Sequence, residues 1–236
     1  MTKQEILDAI HGQMIISCQA IPGEPLYMED DSIMYLMARA AKRAGTPAIR
    51  TSSVRDVVAI KKETGLPVIG LVKIQYPGYE SYITPTMKEV DDLVAAGSDV
   101  VALDCTLRKR GDGTTINEFI AAIRAKYPDI ILMADISNYE EGINAWKCGV
   151  DIVGTTMSGY TDYTSKKDEP DYELMTRLAK DTDIPVIGEG KIHYPDQAVK
   201  ALKTGAWAIV VGGAITRPLE IAQRFMQAIE ADKDVK

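Results

Sequence analysis

Two histidines and three cysteines in 236 residues leave little material for metal or thiol chemistry. His11 and His193 have no second histidine at ligand spacing, so no metal site is expected. Cys18, Cys105 and Cys148 are odd in number and lack metal-site spacing. They read as reduced thiols of a cytoplasmic protein. No apolar run approaches the roughly 18 residues of a membrane span. The opening MTKQEILDAI carries acids and no long apolar stretch, unlike a secretory signal. Positive charge is also short: 27 Lys and Arg against 34 Asp and Glu leave a net charge of -7. That balance argues against nucleic acid as a partner. An anionic ligand has to be held by a local cluster of cations or backbone N–H groups.

What is present is a series of short apolar runs, each followed by a polar residue or a glycine. In order, those residues are Gln19, Arg50, Lys73, Asp104, Asp135, Thr156, Glu189 and Gly212. The expected strands are Met14 to Gln19, Ala48 to Arg50, Val68 to Lys73, Val100 to Asp104, Ile130 to Asp135, Asp151 to Thr156, Pro185 to Glu189, and Ala208 to Val211. They are dense in Val, Ile and Leu, as in parallel strands covered by helices. Helical stretches fill the gaps, several of them ending at glycine. Eight strand–helix units predict an α/β fold: one (β/α)8 TIM barrel over residues 1–236, close to the roughly 250 residues typical of it. Thr2-Lys-Gln-Glu5 and Thr86-Met-Lys-Glu89 read as capping boxes. The first predicts an extra N-terminal helix before the first strand.

In this fold catalytic groups sit at the C-terminal strand ends, so the series is also a set of candidate site residues. The loops after strands 7 and 8, GEGKI and VVGGAITRP, are where barrels often bind phosphate. Gly190, Gly212 and Gly213 let backbone N–H groups approach an oxyanion, and Arg217 adds a charge-assisted donor. Taken singly, each glycine reads first as a turn residue; the two loops together on one barrel point to phosphate. Lys73 ends the otherwise apolar run PVIGLV. Partial burial near other cations lowers a lysine pKa, which fits a general base or a Schiff-base nucleophile. A lysine with its head in water is the plain alternative. Glu189 and Asp135 can move protons, orient a sugar hydroxyl, or pair with Arg50 or Lys73. Asp104 has Arg108 and Lys109 as partners in its own loop. Tyr76, Tyr79, Tyr82, Tyr160 and Tyr163 fall in loops over the mouth.

The segments ISCQAIPGEPLY (16–27), IRTSSVRD (49–56), PVIGLVK (67–73), YITPTMKEVDDLVAAGSDVVALDCTLRKR (82–110), LMADIS (132–137), TTMSGYT (155–161), IPVIGEGKIHYPDQA (184–198) and VVGGAITRP (210–218) resemble N-acetylmannosamine-6-phosphate 2-epimerases in order and spacing. The resemblance implies a TIM barrel with no cofactor, acting on an amino-sugar phosphate in sialic-acid or amino-sugar catabolism. It implies Lys73 and Glu189 as catalytic residues, and Gln19, Arg50 and Asp135 as sugar-binding or orienting residues. It implies Gly190, Lys191, Gly212, Gly213 and Arg217 as the phosphate site. Lys191 stands where the family commonly has Arg, and Gly213 where it commonly has Ser. A homodimer is compatible with the apolar helix faces. Two rivals remain open at this level: another phosphosugar barrel enzyme using Lys73 as a Schiff base, and a non-catalytic phosphosugar-binding protein.

Overall fold

Alternate residues of a strand point to opposite sides, and each apolar run of this chain uses both. The structure, a computed structural model, describes residues 1–232. Its strands are β1 (Met14–Ser17), β2 (Ile49–Ser52), β3 (Val68–Leu71), β4 (Val100–Asp104), β5 (Ile131–Asp135), β6 (Ile152–Gly154), β7 (Val186–Glu189) and β8 (Ala208–Val211). Each pairs in parallel with the next, and β8 returns to β1 through Met14↔Ile209 and Ile16↔Val211. The sheet is thereby a closed barrel with no free edge. Around it run α2 (Met34–Arg43), α3 (Val54–Thr64), α4 (Met87–Ala95), α5 (Ile116–Lys126), α6 (Tyr139–Lys147), α7 (Tyr172–Asp181), α8 (Pro195–Leu202) and α9 (Pro218–Ala231), while α1 (Lys3–Ile10) precedes β1. This is the expected (β/α)8 TIM barrel with its additional N-terminal helix.

The two sides of the strands build two cores. Ile16, Ile49, Val68, Val101, Leu132 and Val186 face outward and pack with helix residues such as Ala38, Val57, Ile60, Leu93 and Ile120. Ile15, Ala48, Ile69, Leu71, Ala102, Met133, Ile187 and Val210 face inward and fill the barrel. Helix α1 closes the lower end of that inner core, with Ile6, Leu7 and Ile10 buried in it. The Thr2 capping box starts this helix: Glu5 N donates to Thr2 Oγ1 at 3.2 Å and Thr2 N donates to Glu5 Oε2 at 2.8 Å. Trp207 Nε1, just before β8, donates to Leu7 O at 2.9 Å and ties the helix down.

Four strands have ends other than the sequence predicts. β1 stops at Ser17, β3 at Leu71 and β6 at Gly154, whereas β2 continues to Ser52. Lys73 keeps only an isolated antiparallel bridge to Ile83 in the following loop. Apolarity marks burial rather than strand pairing: Cys18, Gln19 and Thr155 are still buried just past the ends of β1 and β6.

Candidate active site

Strand parity decides which polar groups meet. Ile15–Ser17–Gln19, Ala48–Arg50, Ile69–Leu71–Lys73, Met133–Asp135, Ile152–Gly154–Thr156, Ile187–Glu189 and Val210–Gly212 each step by two from an inward apolar residue. The inner core therefore changes from apolar to polar at one level near the C-terminal end. Gly154 makes room there. A Cβ on it would collide with Met133 Cε, and would lie 3.2 Å from Thr156 Oγ1 and 3.4 Å from Asp135 Oδ1.

At the centre, Arg50 is 1% and Asp135 0% exposed. Arg50 Nη2 donates to Asp135 Oδ2 at 2.6 Å, and Arg50 Nε lies 3.3 Å from Glu189 Oε1. Thr156 Oγ1 lies 2.7 Å from Asp135 Oδ1 and 3.0 Å from Glu189 Oε2. Burial disfavours the Arg50 charge, but Asp135 and Glu189 outweigh it and hold the guanidinium more firmly charged than usual. Glu189 is pushed above the ordinary carboxylate range, first by burial and then by Asp135, with Arg50, Thr156 and Lys73 opposing. Dry ion clusters of this kind are a weak source of stability, since each ion costs several kcal/mol to dehydrate.

Lys73 stands at the edge of this cluster. Its N–H donates to Ser52 Oγ at 3.3 Å, which anchors the backbone. Among the described residues, its amine makes no ion pair. Burial lowers its pKa first, repulsion from Arg50 and Arg217 lowers it further, and Glu189 and Asp135 resist. A lowered pKa favours the neutral amine, which is the form a base needs.

Lys73 opens on a cavity of about 180 Å³, lined also by Gln19, Tyr82, Thr156, Tyr160, Glu189, Gly190, Lys191, Gly212, Gly213 and Arg217. The structure thus brings the predicted base, its carboxylate and the predicted phosphate residues to one chamber. It places Arg50 and Asp135 lower, beneath the floor rather than in the wall. Arg50 is deep because β2 runs on through Thr51 and Ser52 above it. Gln19 donates from Nε2 to Ser17 Oγ at 2.6 Å, while its buried Oε1 has no partner among the described residues. Gly190 (φ +106°) and Lys191 (φ +59°) turn the chain sharply after β7. For Lys191 that conformation costs about 1–2 kcal/mol, an outlier of the kind that clusters at ligand clamps. Lys191 Nζ rests 5.1 Å over the Tyr160 ring.

Arg217 pairs with two carboxylates, Glu24 Oε1 at 2.8 Å and Glu220 Oε1 at 2.9 Å. Glu220 also fills the space beside Gly213, where a Cβ would collide with its carboxylate. Sequence reasoning missed these two partners. Glu220, three residues after Arg217, carried a local signal, whereas Glu24 lies in the loop after β1 and carried none. Thr156 stood in the strand-end series without a role. Asp104 pairs with Arg108 at 2.6 Å, as its own loop suggested. Burial, aided by Asp56, pushes the Cys18 thiol up to about 12, so it is inert. His11 stacks on Trp207 at the lower end. Of the five loop tyrosines, Tyr82 and Tyr160 reach the cavity. Tyr76 and Tyr163 are bonded to Glu89 and Glu141, and Tyr79 lies against Arg110.

A parallel eight-stranded barrel with a lysine of lowered pKa, two carboxylates on a buried arginine and a glycine-rich cationic rim has the layout of a barrel enzyme acting by proton transfer. Comparison with known proteins narrows the class. Residues 34–231 match the family model described as N-acetylmannosamine-6-phosphate epimerase. A relative from Caldanaerobacter subterraneus subsp. tengcongensis, carrying the name N-acetylmannosamine-6-phosphate 2-epimerase, is 51% identical over 97% of this chain and 95% of its own. One of the same name from Clostridioides difficile is 48% identical over 95% of this chain and 99% of its own. The solved N-acetylmannosamine-6-phosphate 2-epimerase of Clostridium perfringens superposes with a TM-score of 0.89 at 48% identity, covering 94% of this chain and 96% of that one. The thiamine phosphate pyrophosphorylase of Pyrococcus furiosus, at 18% identity and a TM-score of 0.60, shares the fold alone. The chain belongs to the N-acetylmannosamine-6-phosphate epimerase family.

Proposed function

We propose that this protein interconverts N-acetylmannosamine 6-phosphate and N-acetylglucosamine 6-phosphate by removing and returning the proton at C2. In the open-chain sugar, C2 neighbours the C1 aldehyde, and its deprotonation gives an enolate. Lys73 serves as the base, and the observation that carries this role is its amine, without an ion-pair partner among the described residues, facing the cavity beside the Arg50–Asp135–Glu189 cluster. Glu189 shares the proton work. Arg50, below the floor, pairs with Glu189 at 3.3 Å, and together with Asp135 it sets the charge around Lys73. The cations steady the charge that develops on O1. Gln19 offers its unpartnered Oε1 to a sugar hydroxyl or amide. The phosphate, remote from C2, binds at Gly190, Lys191, Gly212, Gly213 and Arg217 and orients the reacting carbon. This chemistry uses side chains alone and invokes no metal or cofactor.

Proton NMR in D2O with N-acetylmannosamine 6-phosphate tests the reading. Appearance of N-acetylglucosamine 6-phosphate deuterated at C2 is expected. Folded protein that gives no product and no exchange would refute it. Arg217→Ala is expected to raise KM on the order of tenfold or more with kcat nearly unchanged, the signature of lost uniform binding. An unchanged KM would remove Arg217 from the phosphate site.

The whole chain acts as one domain in this reading. Among the described residues, no helix is long and apolar enough to cross a membrane. A cytoplasmic enzyme of amino-sugar or sialic-acid catabolism, independent of nucleic acid, fits that and the net charge. A homodimer fits α9, which buries none of its own residues and exposes Leu219, Phe225, Met226 and Ile229. Sedimentation at twice the 25.8 kDa chain mass is the expected check.

A further inference from the structure

Thr156 Oγ1 touches both carboxylates of the buried cluster, Asp135 Oδ1 at 2.7 Å and Glu189 Oε2 at 3.0 Å. A hydroxyl has one hydrogen to give and two lone pairs to offer. With both carboxylates ionised, only one of the two contacts is a hydrogen bond, and the other sets lone pair against lone pair. With a proton on Glu189, both are satisfied: Glu189 donates to Thr156, and Thr156 donates to Asp135. Asp135 Oδ2 already takes the 2.6 Å bond from Arg50. Glu189 receives less, since Arg50 Nε stays 3.3 Å away and makes no hydrogen bond there.

The charge balance permits the same arrangement. The groups facing this point from the surrounding strands and loops are Arg50, Lys73, Tyr82, Asp135, Tyr160 and Arg217. Burial keeps both tyrosines neutral. Arg50, Lys73, Asp135 and Glu189 sum to zero with one mobile proton, whether it rests on Lys73 or on Glu189. Burial and the Arg50 charge tip the choice away from a second cation at Lys73, while Arg217 is itself paired with Glu24 and Glu220. We infer that Thr156 is a positioning residue whose hydroxyl accepts from protonated Glu189 and donates to Asp135, so that the mobile proton leaves the Lys73 ammonium for the Glu189 carboxylate. The Lys73 amine is then neutral and ready before substrate arrives, and Glu189 carries the proton that C2 is later given. This inference rests on the reading of Lys73 as the base.

Two readouts test it. Infrared difference spectra of ligand-free protein at neutral pH, parent minus Glu189→Gln, should contain the carbonyl stretch of a protonated carboxylic acid. Thr156→Val, with the same shape and no hydroxyl, should lose that band, and Thr156→Ser should keep it. An absent band in the parent, or an undiminished one in Thr156→Val, overturns the inference. In turnover, Thr156→Val should lower kcat about tenfold at little change in KM, and should move the acid limb of kcat/KM about one pH unit upward. The sign follows from the base: the proton returns to Lys73, whose apparent pKa rises, so activity fails at a higher pH. Thr156→Ser should restore both. Lower kcat with an unmoved limb means a merely structural role and overturns the inference. Thr156→Ala gives the same readouts should the valine variant not fold. A parent that shows the band, lost in Thr156→Val, but no C2 exchange would sink the epimerase reading and uphold the proton placement.

Discussion

Lys73→Ala keeps the barrel and loses turnover by about 10³–10⁴-fold, the upper range for removing a general base. The loss falls on kcat, because the phosphate residues that supply binding lie elsewhere on the cavity wall. Stability does not fall with it. The Lys73 amine has no ion-pair partner among the described residues, and burial, Arg50 and Arg217 disfavour its charged form. Truncation therefore breaks no ion pair and costs only some methylene packing. A melting temperature close to the parent's, with C2 deuterium exchange nearly abolished, is the expected pair of results. Exchange at the parental rate would strip Lys73 of its role and leave Glu189 as the remaining base.

Asp135→Asn has the opposite signature, damage to stability as well as activity. It leaves the Arg50 guanidinium, 1% exposed, without its 2.6 Å partner. Breaking one side of a buried pair costs about 3–5 kcal/mol, and Glu189 at 3.3 Å holds the loss toward the lower end. For a chain of this size that is a fall of roughly 6–20 °C in Tm. The double replacement Arg50→Met with Asp135→Leu should recover most of the Tm, because apolar residues of similar volume often match a buried pair in stability. It should not recover turnover, since the charge around Lys73 is gone. A single variant melting with the parent would mean that Arg50 is not electrostatically dependent on Asp135.

The contrast between these variants reflects what could be read from residues alone. The barrel was legible because apolar runs recur at strand-plus-helix spacing and because covered parallel strands lack an exposed face. The convergence of Lys73, Asp135 and Glu189 was legible too, since each closes an apolar run and the C-terminal strand ends of this fold gather at one mouth. Depth was not. Arg50 reads as the end of its strand, yet β2 continues to Ser52 and leaves it below the chamber. Strand tilt in a barrel sets the height of each residue, and tilt leaves no trace in a single run. The pairing of Arg217 with Glu24 was equally hidden, because it joins loops from opposite ends of the sequence.

That joining of opposite ends has a consequence for how the molecule is made. The seam between β1 and β8 closes only when Met14 meets Ile209, and Thr216 Oγ1 fastens it to Ser17 O at 2.7 Å. Synthesis proceeds at about 5–20 residues per second, so a nascent chain waits roughly 10–40 s between emerging β1 and emerging β8. Throughout that interval the inward residues of β1 lack their last neighbour, and the edge of the sheet is open to pairing with another chain. Slow strand closure over long sequence distance exposes a folding chain to aggregation. Replacing Thr216 or shortening the last loop would therefore show first in yield on the ribosome and in chaperone dependence, before any loss in the finished enzyme.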